Sequence, residues 1–154
     1  MVQGQPSEFA GYDFDRKMTT MVGHDLFMFG DQNFVASKYE RALRTPEMIK
    51  LETITYAGTS RKYPALAVSL KRKIIYVTGG RIEGRSSATA MRFSLKSHKF
   101  KNIASMVKPR EKHSSTILGH KVYVFWGLHD SQVLDSIELM NVSIKPCEWE
   151  LVDS

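Results

Sequence analysis

Five histidines (His24, His98, His113, His120 and His129), one cysteine (Cys147) and the run Gly79-Gly80-Arg81-Ile82-Glu83-Gly84 are the residue types here that proton transfer, metal ligation or phosphate binding would use. Their spacing argues against each of those chemistries. The histidines form no HExxH pair and stand in no Cys-His pattern of metal-ligand spacing. The glycine run follows an apolar stretch and could cradle a phosphate, yet it fits neither GxGxxG nor the P-loop, and no helix pattern follows to lend its dipole. Serines are numerous, but none sits in a GxSxG elbow. No cofactor, metal or catalytic residue is therefore expected, and the chain reads as a binding protein and not an enzyme.

His24 and His120 have another meaning. "TMVGHDLFMFG" at 20–30 returns as "TILGHKVYVFWG" at 116–127, and His120 follows His24 by 120 − 24 = 96 residues. Halfway between lies "AVSLKRKIIYVTGG" at 67–80, so the pattern has a period of about 48 residues, in the range of repeat architectures. Within each unit the apolar stretches are short, rich in β-branched and aromatic residues and bounded by turn residues, which predicts strands. Gly-His suits a two-residue hairpin whose glycine takes the positive φ of a type II′ turn. The middle unit has the longer Leu70-Lys71-Arg72-Lys73 there. Each second strand ends in small residues, at Gly30-Asp31, Gly79-Gly80 and Trp126-Gly127. In the middle unit a loop "RIEGRSS" leads to strands near "ATAMRFSL" and "KFKNIASM", and the third unit repeats the course through "HDSQV", "SIELM" and "EWELV". The first unit is less regular, and Lys38 to Arg44 suits a short helix on propensity nearly as well as a strand, ended in either case by Pro46.

Four short strands repeating at this interval are the composition of a propeller blade. The chain resembles a run of Kelch repeats over about residues 16–154. "IIYVTGG" matches the apolar strand and double glycine, Phe93 stands at the usual Tyr position, Phe100 at the usual Trp position, and "MVKPREKHSS" matches the opening of the next repeat. The third unit has a true Trp149 but Trp126 in place of the first glycine, while the first has Asp31 for the second glycine and Leu51 for Trp. The resemblance implies an all-β fold of antiparallel four-stranded blades, in units of about 16–60, 61–109 and 110–154, after a tail or blade remnant at 1–15. Tyr76, Tyr123, Phe100 and Trp149 are expected to pack between blades.

Three blades are fewer than the four to eight that close a ring. Two faces would stay bare and invite association, so they are expected to meet missing blades of a longer protein or another copy, with missing blades favoured. The resemblance further implies a protein partner, held in a scaffold or substrate-adaptor role through loops on one face. Those loops carry Asp31, Gln32 and Asn33; Arg81, Glu83 and Arg85; Arg110 and Lys112; and His129, Asp130 and Gln132. The opposite face is expected to carry the hairpin turns.

Charge supplies the alternative. Residues 61–121 hold 15 Lys and Arg against two acids, Glu83 and Glu111, and the rest of the chain holds 7 basic against 14 acidic residues. The basic middle unit could attract a polyanion or nucleic acid. It could equally be lysine covering solvated turns and edges, and no RNP, helix-turn-helix or zinc-finger pattern supports nucleic acid. With 42% hydrophobic and 25% charged residues, disorder is not expected. No apolar run approaches the roughly 20 residues of a membrane span. No signal peptide is read, and a lone cysteine suits a reducing compartment, so a cytoplasmic location is expected and the sequon at Asn141 is read as chance.

Overall fold

The computed structural model describes residues 18–22, 25–29, 33–38, 51–55 and 60–152, with the backbone alone before residue 60. The described residues are all-β, built of antiparallel four-stranded sheets, and contain no helix. The first sheet runs β1 (Met18–Val22), β2 (Asp25–Phe29), β3 (Asn33–Lys38) and β4 (Leu51–Thr55) in chain order. The second is β5 (Ala65–Ser69), β6 (Ile74–Thr78), β9 (Ala90–Ser94) and β10 (Lys99–Ile103). The third is β11 (Ser114–Leu118), β12 (Lys121–Phe125), β15 (Ile137–Asn141) and β16 (Trp149–Val152). Of Lys38 to Arg44, where a short helix competes with a strand, Lys38 closes β3 and residues 39–44 lie outside the described residues.

One register runs through all three sheets. Val22 pairs with Asp25, Ser69 with Ile74 and Leu118 with Lys121, so the first and third hairpins turn in two residues and the second in four. Gly119 has φ +60 while His120 does not enter the positive region, the arrangement of the expected II′ turn. The four-residue turn closes with Lys73 at φ 56 and its N–H donating to the Leu70 carbonyl at 3.3 Å. At the other end, β6 pairs with β9 from Thr78 to Ala90 and β12 with β15 from Phe125 to Ile137, whereas Phe29 already pairs with Phe34. The second and third sheets therefore carry an excursion that the first lacks. It is a ribbon and not a plain loop: β7 (Arg81–Ile82) with β8 (Arg85–Ser86), and β13 (Leu128–His129) with β14 (Gln132–Val133).

Strand alternation sends successive side chains to opposite faces, and in the second sheet both faces are covered. Ile75, Val77, Met91 and Phe93 form one cluster, with Phe100 against Phe93 at 4.9 Å between ring centroids. On the other face Ala67, Tyr76 and Ala90 meet Val122, Val124, Met140, Val142 and Trp149 of the third sheet, with Met106 from the connecting segment between them. The Trp149 indole N–H donates to the Ala104 carbonyl at 2.9 Å, so the ring is satisfied as well as buried. The far face of the third sheet has no such cover among the described residues. Tyr123, expected between blades, stacks there on Phe125 and stays half-buried.

Truncation should separate these environments. Phe93→Ala, which empties a fully buried position, should cost about 3 to 5 kcal/mol, and Leu118→Ala, 73% exposed, no more than about 0.5 kcal/mol. Urea unfolding followed by circular dichroism measures both.

Candidate functional site

The ends of β6 and β12 set the base of the site. Gly79 and Gly80 have φ +57 and +98, and Trp126 and Gly127 repeat the geometry at +56 and +94. Gly80 and Gly127 thus occupy equivalent places, and Trp126 stands where the second sheet has Gly79; Gly30 lies outside the described residues. A Cβ on Gly79 would collide with the Arg110 carbonyl and the His113 ring. That close approach lets the Gly80 N–H donate to the Arg110 carbonyl at 2.8 Å and docks segment 104–113 on the second sheet.

Two arginines clamp the ribbons to the sheets. Arg61 and Arg110 each stand four residues before the first strand of their sheet. Arg61 donates to the carbonyls of Gly79 and Thr89 and to the Thr89 hydroxyl. Arg110 donates to the carbonyls of Trp126 (2.8 Å) and Ser136 (3.0 Å), the equivalent pair, and to the Ser136 hydroxyl. It also pairs with Glu138 at 2.7 Å, both side chains fully buried. Glu138 in turn accepts the N–H groups of Val107 and Lys108 at 2.6 and 3.0 Å. Arg110 is therefore a correction to the sequence reading. Sequence reasoning placed it on a partner-facing loop because charge is normally solvated, but it is interior and cannot touch a partner.

Around this base the remaining loop residues come to one end of the molecule. Arg81 bonds Glu111 at 2.9 Å, with the arginine side chain 39% exposed and the glutamate 2%. Lys112 lies over the Tyr63 ring, 5.0 Å from its centroid, across the seam between the second and third sheets. The two ribbons are joined by a reciprocal pair: the Ser86 N–H donates to Asp130 Oδ1 at 2.8 Å, and the Asp130 N–H donates to Ser86 Oγ at 2.9 Å. The Ser86 amide holds the Asp130 carboxyl below its usual range. Glu83 at the ribbon tip, Arg85 and Gln132 are exposed beside it, and His129 Nε2 lies 3.9 Å from Asp130. Asn33 begins β3 opposite Thr55. Asp31 and Gln32 lie outside the described residues.

Ser86, Glu111 and Tyr63 were missed in the sequence. Position 86 has no polar equivalent 47 residues on, so no repeat signal marks it. Arg61 was legible, because its spacing to β5 matches that of Arg110 to β11.

The interior of the site is a set of buried polar contacts. His113 Nε2 and Thr78 Oγ1 are 3.0 Å apart, but both residues are buried and no substrate reaches them from solvent. Burial first, then the positive charges of Arg110 and Arg61, push His113 down to about 3. Among the described residues no three His, Cys, Asp or Glu side chains cluster as metal ligands would, and no helix is long and apolar enough to cross a membrane.

The antiparallel four-stranded sheets, the second joined to the third by a segment that packs over Gly79 and Gly80, define portions of a β-propeller, an incomplete ring of blades. Comparison specifies the type. Residues 63–107 match the Kelch motif, so the middle blade is a Kelch repeat. A solved structure titled "Structure of YjhT", a Kelch-type propeller, superposes at TM-score 0.73 and 11% identity, over 94% of this chain and 52% of that one. The chain thus spans about half the length of the structure it matches. No curated protein matches by sequence.

Three substitutions test this base. Arg110→Met should cost about 3 to 5 kcal/mol by stranding the Glu138 charge, and adding Glu138→Leu should recover much of it. Gly79→Ala should destabilise more than Gly84→Ala, since both have positive φ but only Gly79 is crowded. His113 binds a proton less readily folded than unfolded, so its contribution is unchanged above pH 6.5 and stability falls as pH drops from 6.5 toward about 3. His113→Gln should flatten that loss in urea unfolding series at pH 7 and pH 4.5.

Proposed function

We propose that this protein is an interaction module that holds a partner protein at the ribbon end, in a scaffold or substrate-adaptor role in the cytoplasm. The Kelch motif and propeller fold support a protein-interaction module in general terms. The observation that carries the particular surface is the reciprocal Ser86–Asp130 bond. It ties ribbons from neighbouring blades into one exposed ridge, so a partner meets Glu83, Arg85, His129 and Gln132 in fixed relation and less ordering entropy opposes binding. Arg81 and Lys112 flank the ridge. Their charge directs encounter, while the Arg81–Glu111 and Lys112–Tyr63 contacts hold them in place.

A second reading rests on a different end. The Leu95 N–H donates to the Lys73 carbonyl at 2.9 Å, which joins the turn carrying Lys71 and Lys73 to the turn carrying Lys96. With Lys99 and Lys101 on the neighbouring edge strand β10, this is a basic patch remote from the ridge that could hold a polyanion.

One pair of variants separates the two. Arg85→Glu with Gln132→Ala should weaken capture of a protein partner at least tenfold while moderate salt has little effect. If a polyanion is the ligand, Lys71→Glu with Lys96→Glu should instead abolish binding to duplex DNA, and wild-type affinity should fall with a log-log salt slope of about −0.9 per phosphate contact. Fluorescence anisotropy at two ionic strengths reads both.

A further inference from the structure

The end of the molecule opposite the ridge is made of hairpin turns tied to one another. Each sheet closes there on one row of paired residues: Ser69, Ile74, Ser94 and Lys99 in the second, and Leu118, Lys121 and Asn141 in the third. Arg72, in the turn between β5 and β6, reaches the third blade, where its Nη2 donates to Ser143 Oγ at 2.8 Å and lies 3.1 Å from His120 Nδ1. The Lys73 carbonyl accepts the Leu95 N–H. One turn thus holds three others: those between β9 and β10, β11 and β12, and β15 and β16. A surface spread over four turns usually pays ordering entropy when it binds, and these contacts meet part of that cost in the free protein.

Charge at this end has one sign. Residues 69–74, 94–99, 118–121 and 141–149, which make up the turns and the strand ends beside them, hold seven Lys and Arg against one acid, Glu148. All six lysines among them are exposed. The ribbon end is mixed by contrast, with Glu83, Asp130 and Asp135 exposed along with Arg85.

Positive charge alone would suit any polyanion, but the turns carry a second feature. Leu70 and Ile144 are each 59% exposed, and each is followed directly by a lysine, Lys71 or Lys145. Both stand past the last paired residue of the preceding strand, so neither belongs to a sheet face. Single exposed aliphatics are ordinary. These two lie in turns that the Arg72–Ser143 bond holds together, and basic groups surround them. Apolar tips among lysines match the boundary between lipid headgroups and acyl chains, where the tips enter and the ammonium groups stay among the phosphates. A nucleic-acid duplex offers the phosphates but no apolar layer to receive Leu70 and Ile144. The ribbon end also exposes apolar groups, Trp126 and Val133, but it does so among acids that an anionic bilayer repels.

We infer that this turn end seats on an anionic lipid bilayer, which rests on the polyanion reading of the same basic patch and gives it one occupant. Leu70 and Ile144 enter the headgroup layer, and the lysines around them meet its negative charge. The cytoplasmic leaflet carries that charge. Seated so, the protein turns its ribbon end away from the membrane and leaves the ridge open to a partner. Vesicle co-sedimentation of the full chain tests the contact. Wild type should bind vesicles of phosphatidylcholine with phosphatidylserine and not those of phosphatidylcholine alone. Leu70→Ser with Ile144→Ser should weaken that binding at least about tenfold with an unchanged circular dichroism spectrum. Lys71→Glu with Lys96→Glu should abolish it, and Arg85→Glu on the ridge should leave it unchanged. Fluorescence anisotropy with duplex DNA is read alongside. No binding to the phosphatidylserine vesicles, equal binding to both kinds, or binding indifferent to the Leu70 and Ile144 substitutions would overturn the bilayer as occupant. Duplex binding that is still lost with the lysine pair would then leave the polyanion reading standing without it.

Discussion

Each blade has two apolar faces and no means of burying either alone, and the rest of the structure follows from that constraint. A strand of a half-solvated sheet alternates apolar with polar, but Ile75-Tyr76-Val77 buries three consecutive side chains because odd and even positions meet different neighbours. Neighbouring blades stack face to face, and the segment between them must run from the outer strand of one to the inner strand of the next. Segment 104–113 does this across the end of the sheet, which is why glycine is needed at 79 and why the connecting backbone, not a side chain, fills the space above it. The functional end of the molecule is a by-product of that crossing: the ribbons rise where the strands have just been pinned.

How far the sequence foretold this depends on whether a feature repeats. The hairpins, the strands and the glycine ends recur at a near-constant interval, and three weak signals at one spacing amount to a strong one. The ribbons β7–β8 and β13–β14 have strands of two residues, too short for alternation to show, and were read as loops. Burial of charge was the least legible. Lysine and arginine are normally solvated, so Arg110 reads as a surface residue like Lys112, two residues away, which is exposed. What distinguishes them is partnership with Glu138, 28 residues on, and no local pattern encodes it. Glu83, Arg85 and Gln132 lie on the two ribbons because topology alone decides which loops share an end.

The rigidity of that end has an electrostatic basis as well as a steric one. Acceptors in the ridge are met by fixed donors: Asp130 by the Ser86 amide, Glu111 by Arg81, and the terminal carbonyls of β6 and β12 by Arg61 and Arg110. Most net positive charge of the middle unit lies elsewhere, on the turns and on the outer edge strand β10, where lysine also hinders pairing with another strand. Binding and colloidal stability therefore draw on different parts of the same basic unit.

Apolar packing by itself would not decide which blade sits next to which, since every seam offers aliphatic and aromatic side chains of similar size. The buried ion pair fixes something narrower, the seat of the linking segment on the third blade. Glu138 pairs with Val124, and the equivalent positions are Met91 opposite Val77 and Val35 opposite Met28, so charge occurs at one of three matching places. Arg110, Val107 and Lys108 all lie in the segment that leads into the third blade, so the pair seats that segment on its own blade, and without Arg110 the Glu138 charge would be stranded at a cost of several kcal/mol. Electrostatics thus fixes where the linking segment lies on the third blade, and apolar packing joins that blade to the second.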